Sequence, residues 1–332
     1  MTKVKYTIPF IATAILISSF IGCSESKKND DVESSGFKFL SSSTTETKAS
    51  AVSSSTENAA LNVSDSTTEA LAKKSTAPSI TLPSGAIISW LQDNETERLM
   101  PRELFSDASD SLYNSLNLPN GIPASVGTFL LNINGEYALF DAGLGSFGGQ
   151  LLKQLNENGV SPENIKYIFL THMHVDHIAG LMQTPAGKTI GNANATFSPE
   201  KVFTNAEIYL SEIEYKAWLK EISKNDLQKS IIALYQDKIH LFEFGDTLPY
   251  GISALDAKGH TPGHTAFQIE NVLVIGDLMH GYALQKDHLE INSNYDMDKE
   301  ISAESRKRLI EYAKQNGLTL AGMHLPPPGF VK

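Results

Sequence analysis

The chain has 332 residues, a formal net charge of −11 and a single cysteine. That length supplies one large domain or two small ones, with ample material for a core. The acidic balance argues against a nucleic-acid partner, which would call for a basic face, and a lone Cys23 excludes an intramolecular disulfide and thiolate metal ligation in the folded part.

In chain order, Met1 to Cys23 reads as a secretory signal: Lys3 and Lys5 form a basic start and Ile8 to Ile21 an apolar stretch. The stretch is shorter than the roughly 20 apolar residues of a comfortable membrane span. Phe20-Ile21-Gly22-Cys23-Ser24 resembles a bacterial lipoprotein lipobox, with Phe20 where Leu is usual. The resemblance implies cleavage, acylation of Cys23 and a lipid anchor in the cell-envelope membrane, and Ser24 after the cysteine favours outer-membrane sorting. The alternative is an uncleaved amino-terminal anchor helix. Residues 24–84 are rich in Ser and Thr (Ser41-Ser42-Ser43-Thr44-Thr45, for example) and poor in large apolar side chains. Such a segment buries too little surface to offset its ordering entropy and is expected to be a disordered tether.

A globular domain is expected from Gly85 to Lys332. Ala86–Leu91 reads as its first strand. Gln92–Ile122, with Pro101 and Pro119, reads as a long loop holding a short helix. Val126–Ile133 and Tyr137–Phe140 are strands joined by Asn134-Gly135, a hairpin signal. Asp141-Ala142-Gly143 follows, where the carboxylate either supports a site or merely forms a turn. Leu151, Leu152 and Leu155 mark a helix over 149–158, Tyr167–Leu170 is a buried strand, and Ala206–Leu210 another. Ser211-Glu212-Ile213-Glu214 has the form of a capping box. Strands are expected at Ile239–Phe244, Ile252–Ala257, Phe267–Ile269, Val272–Ile275 and Leu318–Ala321, and a helix from about Ala303 to Gln315.

The chemistry concentrates after Leu170. His172, His174, Asp176 and His177 stand within six positions where a strand gives way to a loop. Side chains alternate in extended backbone, so His172 and His174 share a direction. Asp176 and His177 follow after the turn and can reach a second point nearby. A lone histidine would be a packing or surface residue; four ligand-type side chains in six residues point to metal, and two neighbouring cations would use them all. Further strand ends deliver Gly259-His260-Thr261-Pro262-Gly263-His264, Gly276-Asp277 and finally His324. Strands dominate and helices are interspersed, which predicts a two-sheet sandwich with helices outside and a site along one edge.

Together these motifs resemble the metallo-β-lactamase superfamily over Gly85 to Lys332. Gly276-Asp-Leu-Met-His280, Tyr295-Asp-Met-Asp298 and Ala321-Gly-Met-His-Leu-Pro-Pro-Pro-Gly329 resemble its methyl parathion hydrolase-like branch. The resemblance implies an α/β fold, the αββα sandwich, with a dinuclear, usually zinc, centre. It implies that His172, His174 and His264 hold one metal, that Asp176, His177 and His324 hold the other, and that Asp277 bridges. It makes Asp141 a support and His260 structural. Imidazole and carboxylate donors without sulfur suit Zn²⁺, Mn²⁺, Co²⁺ or Fe²⁺, with zinc favoured.

The implied activity is hydrolysis of a small-molecule ester, lactone or phosphotriester by an activated water, with Asp176 passing a proton to the leaving group. His280 and Tyr282 are the candidate substrate contacts, against ordinary loop packing. The lactonase branch has a Tyr shortly after the bridging Asp, where this chain has His280. Two other readings stand beside the hydrolase. One is a mononuclear iron, persulfide dioxygenase-like oxidoreductase, which does not need His324; the other is a tethered metal-binding module without turnover. The sequence leaves the oligomeric state open, a homodimer included.

Overall fold

The computed structural model describes residues 77–183, 199–221 and 226–332. The signal segment, Cys23 and most of the expected tether lie outside the described residues. No helix among the described residues is long and apolar enough to cross a membrane.

The described chain begins with β1 (Ser79–Thr81), β2 (Ile87–Gln92), β3 (Arg98–Met100), α1 (Asp110–Ser115), β4 (Ile122–Ala124), β5 (Gly127–Ile133) and β6 (Glu136–Phe140). It continues through α2 (Leu151–Glu157), β7 (Ile165–Phe169), α3 (Val175–Ile178), β8 (Met182–Gln183), β9 (Glu200–Lys201) and β10 (Glu207–Ser211). Then come α4 (Glu212–Glu221), α5 (Asp226–Leu234), β11 (Ile239–Phe242), β12 (Ser253–Asp256), β13 (Thr265–Ile269) and β14 (Val272–Val274). The chain closes with α6 (Tyr282–Gln285), α7 (Lys299–Gln315), β15 (Thr319–Ala321) and β16 (Phe330–Val331).

Two sheets carry the architecture, with strand orders β1-β2-β5-β6-β7-β10-β11 and β12-β13-β14-β15-β16. The first is antiparallel up to β6 and parallel from β6 to β11. Asn134 and Gly135 both adopt positive φ, 53° and 88°, so the β5–β6 hairpin turns as its Asn-Gly pair dictates. β1 pairs antiparallel with β2, so ordered strand begins inside the stretch expected to be tether, ahead of Gly85. Its Ser and Thr composition hides it. The expected 92–122 loop holds α1 and also β3, which pairs with β4 in a small separate sheet.

Alternation along the strands sorts side chains into three apolar layers. Ile88, Trp90, Phe129, Leu131, Phe140 and Phe169 of the first sheet meet Ala254, Phe267, Ile269, Val272 and Val274 of the second between the sheets. Leu130, Leu139 and Ile168 face outward under α2 and α5, which supply Leu151, Leu155 and Ile231. Ala266, Leu273 and Leu320 face the other way, under Leu309, Ile310 and Ala313 of α7. The layers are therefore helix, sheet, sheet, helix. The centre is aromatic: Phe169 lies 5.5 Å from Phe140 and 5.8 Å from Phe267, ring centre to ring centre. That packing fixes the strand that ends three residues before His172.

Candidate metal centre

The carboxyl ends of β6 and β7, the β12–β13 loop and the ends of β14 and β15 deliver Asp141, the His172–His177 segment, His260, Asp277 and His324 to one edge of the sandwich. Four overlapping groups of donor atoms form there among the described residues, and two of them take in most of the expected ligands. His172, His174, His260 and Asp277 make the first, and Asp176, His177 and His324 the second, with the atoms of each within 4.8 Å of one another. Asp277 joins them. Its Oδ1 lies 3.0 Å from His177 Nε2, and its Oδ2 lies 3.2 Å from His324 Nε2 and 3.3 Å from His260 Nε2.

Each of four rings is turned by what holds its other nitrogen. His177 Nδ1 donates to Asp141 Oδ2 at 2.7 Å, and His260 Nδ1 to Asp296 Oδ1 at 3.0 Å. His324 Nδ1 donates to the Ser125 carbonyl at 2.9 Å. Thr171 Oγ1 donates to Asp141 Oδ2 at 2.8 Å and so receives the proton of His172 Nδ1 at 3.0 Å. The Nε2 lone pairs of all four therefore face inward. Asp141 orients His177 directly and His172 through Thr171. It does so with φ at 63°, a strained conformation costing about 1–3 kcal/mol in a non-glycine residue.

The inward nitrogens meet each other. His174 Nδ1 lies 3.0 Å from His172 Nε2 and 2.9 Å from His260 Nε2. His177 Nε2 and Asp277 Oδ1 are buried and neither has a hydrogen-bond partner, although they are 3.0 Å apart. Both aim at a shared point instead of at one another. Converging lone pairs in a dry site repel unless positive charge stands between them, and nitrogen with carboxylate oxygen is a donor set that divalent transition-metal ions accept. The residues fit such ions.

Without them, protons supply the charge. Burial opposes protonation of His324, but Asp277 and Asp176 outweigh it and lift the imidazole to about 10. His177 is likewise held well above its ordinary value against burial, by Asp277 and then Asp141. Burial, reinforced by His260, drops His174 to about 3. Asp277 stays well below the usual carboxylate range despite burial, because His177 and His324 face it.

The structure corrects one expected ligand. His264 is buried with both nitrogens engaged: Nδ1 donates to the Ala257 carbonyl at 2.9 Å and Nε2 accepts from the Asp277 backbone N–H at 3.0 Å. Gly276, at φ 53°, makes that approach possible, since a Cβ there would lie 2.5 Å from His264 Nε2. His260, expected to be structural, occupies the cluster in its place. His280 is also buried; its Nε2 lies 3.1 Å from Asp277 Oδ2 and its ring stacks on His324 at 5.1 Å. It lies in the cluster's interior, beside the shared carboxylate. Tyr282 begins α6 and packs against the apolar layer under α7, which gives it the packing role weighed above.

Several supporting residues carried no sequence signal. Glu214 does not act through a capping box. Its buried carboxylate accepts from the Met173 and Gly263 backbone N–H groups and from Trp218 Nε1, at 3.0, 2.8 and 2.6 Å, tying the two histidine loops together. Asp93 accepts from the N–H groups of Leu144, Gln150 and Leu151 and so braces the loop after Asp141.

The sequence profile of the metallo-beta-lactamase superfamily matches residues 122–324, which span every donor of both clusters. The chain belongs to the metallo-beta-lactamase superfamily. Among solved members of similar structure is hydrolase AbOPH, 27% identical with a TM-score of 0.64 over 76% of this chain and 91% of that one. AidC, a dizinc quorum-quenching lactonase, is 24% identical with a TM-score of 0.66 over 78% and 95%, a likeness of fold. Among curated superfamily relatives, an N-acyl homoserine lactonase of Bacillus sp is 28% identical over 49% of this chain and 61% of its own length. A ribonuclease Z of Streptococcus thermophilus is 29% identical over 33% of this chain. The match spans 38% of that ribonuclease.

Proposed function

We propose that this superfamily member is a dinuclear metal-dependent hydrolase, zinc being the favoured ion, that cleaves ester, lactone or phosphotriester bonds of small molecules. The observation that carries the reading is Asp277, one buried carboxylate whose Oδ2 lies between His260 of one nitrogen-rich cluster and His324 of the other, while its Oδ1 faces His177. In those clusters divalent cations would polarise the scissile carbonyl or phosphoryl oxygen and bring the pKa of water toward neutrality.

The chain's own residues do the rest. Asp176 is the open carboxylate of the site, its side chain 26% exposed against 3% for Asp277. Its Oδ2 lies 3.3 Å from His324 Nε2. It is the more exposed carboxylate of the site, and a carboxylate at that place can take a proton from the attacking water and hand it to the departing alkoxide or phenoxide. Burial of the other donors, His174 alone among them being only half-buried, limits the access of bulk water to the reacting centre and strengthens the charge interactions within it.

His324, together with Asp176 and His177, supports two cations over the mononuclear iron reading. The Gly276-Asp-Leu-Met-His280 segment favours the methyl parathion hydrolase-like branch. The net charge of −11 favours neutral small substrates over RNA, despite the ribonuclease Z relatives. With Cys23 acylated, the enzyme would work tethered to the envelope membrane.

Metal analysis of the full-length protein is expected to give about two divalent ions per chain, with turnover of at least one of a γ-lactone, an aryl ester or an aryl phosphotriester. Two bound ions without turnover of any of these would leave the binding-module reading standing. Cleavage of an RNA hairpin at the exclusion of all three would move the chain to the nucleases.

A further inference from the structure

His260 sits in the loop between β12 and β13, and nothing in that loop alone fixes its ring. The amino-terminal turn of α7 does. Asp298 caps that helix by accepting from the Ile301 N–H, and its own N–H donates to the Gly259 carbonyl at 2.8 Å. The Met297 N–H donates to the His260 carbonyl at 3.1 Å, and Ser305 Oγ to the Lys258 carbonyl at 2.8 Å. Gly259 has φ 123°, and a Cβ there would meet Ser302 N at 2.2 Å, so the loop rests flush on the helix.

One side chain reaches through this turn to the site. Asp296, its carboxylate fully buried, accepts from His260 Nδ1 with one oxygen. Its other oxygen takes the Ser293 N–H at 2.9 Å and Arg306 Nη2 at 3.3 Å. Arg306 is the largest completely buried side chain among the described residues. Its Nε donates to the Leu278 carbonyl at 2.7 Å, one residue after Asp277, and its Nη1 to the carbonyls of Leu289 and Ile291 at 2.8 and 2.9 Å. A planar guanidinium can serve all of these at once, which a lysine ammonium cannot. One buried group thus braces both the strand end carrying Asp277 and the carboxylate that turns His260.

We propose that Asp296 and Arg306 are positioning residues that set the tautomer and direction of His260, so that the amino-terminal half of α7 and the segment leading into it govern one cation position and leave the other to its own supports. The second position has them: Asp141 holds His177 and the Ser125 carbonyl holds His324. The inference rests on the two-cation reading above but is tested without hydrolysis.

The full-length protein, stripped with a chelator, is titrated with Co²⁺, whose visible absorption reports each ion as it binds. In Asp296→Asn one of the two ions is expected to bind roughly 10–100-fold more weakly, as loss of a ligand-orienting partner does elsewhere, and the other as in the wild type. Arg306→Lys is expected to weaken the same ion to a smaller degree. Equal weakening of both ions, or of neither, in a folded Asp296→Asn overturns the proposal. Should that variant not fold, ¹⁵N-histidine spectra of the wild type decide, at a pH where the ring is neutral. A proton on His260 Nδ1 supports the proposal, and one on Nε2 overturns it. A wild type that takes up no Co²⁺ would sink the dinuclear reading separately, and the tautomer would still be read.

Discussion

The backbone N–H of Asp277 donates to Nε2 of His264 at 3.0 Å, so the second histidine of the Gly259–His264 segment anchors the shared carboxylate and the first faces the cluster. The two histidines should therefore fail in different ways. His260→Ala removes a donor and is expected to lower the bound metal from about two ions per chain to one, with some loss of thermal stability because Asp296 Oδ1 loses its partner. His264→Ala strands the Asp277 N–H and the Ala257 carbonyl, each costing about 1–3 kcal/mol, and should lower the melting temperature first. Metal content and thermal melts of the two variants check this; a His264→Ala protein that melts normally and holds one ion reverses the assignment.

How much of this was legible before the fold was known differs residue by residue. The His172–His177 cluster, Asp277 and His324 could be read because strand ends and ligand-type side chains coincide in the sequence. A two-sheet sandwich with helices outside followed from the order of strands and interspersed helices, and the family resemblance implied the αββα layering. His260 and His264 could not be told apart, since both flank the same Thr-Pro-Gly turn, and only the β12–β13 geometry and the seat on α7 separate them. The start of α7 was hidden for a related reason. Ile301 and Ser302 set their backbone against Gly259 and no apolar side chain of that turn is buried, so the apolar spacing begins later, at Ala303. Glu214 looked like a cap because its local spacing allows one, but two distant N–H groups compete for it and win.

Asp277→Asn tests the shared carboxylate. The amide keeps the shape but turns an N–H₂ toward nitrogens that already converge, either His177 Nε2 or the group around Oδ2. Removal of a single preorganised electrostatic contact commonly lowers turnover by about 10²–10³-fold, and at least that loss in kcat/KM is expected, with less than two ions retained. Wild-type turnover in this variant would take Asp277 out of the reacting centre.

Cation-free protein should lose stability as the solution becomes alkaline. His324 rises from 6.5 to about 10 on folding, because Asp277 and Asp176 overcome the effect of burial. Between those values the native state binds more protons than the unfolded chain, so the unfolding free energy falls as pH rises. The contribution is complete below 6.5 and gone above about 10. Bound cations replace those protons and remove the dependence. Melting temperatures measured across this window with chelator and with added zinc should therefore diverge as pH increases, and parallel curves would show that His324 does not carry the proton.

Glu214 offers a test of how the two histidine loops are held in register. Both its oxygens accept from donors, the Met173 and Gly263 N–H groups and the Trp218 indole, and Trp218 in turn sets its ring edge-on to His174 at 5.7 Å. In Glu214→Gln one acceptor becomes a donor and must face one of those N–H groups, so at least one buried hydrogen bond to a charged partner is lost, at about 1.5–3 kcal/mol. A stability loss of about that size is expected by denaturant unfolding. The Met173–Gly263 tie should also loosen, so metal affinity is expected to drop in both clusters together, unlike the single-ion effect at Asp296. A variant as stable as the wild type, with both ions held normally, would show that the loops keep their places without this carboxylate.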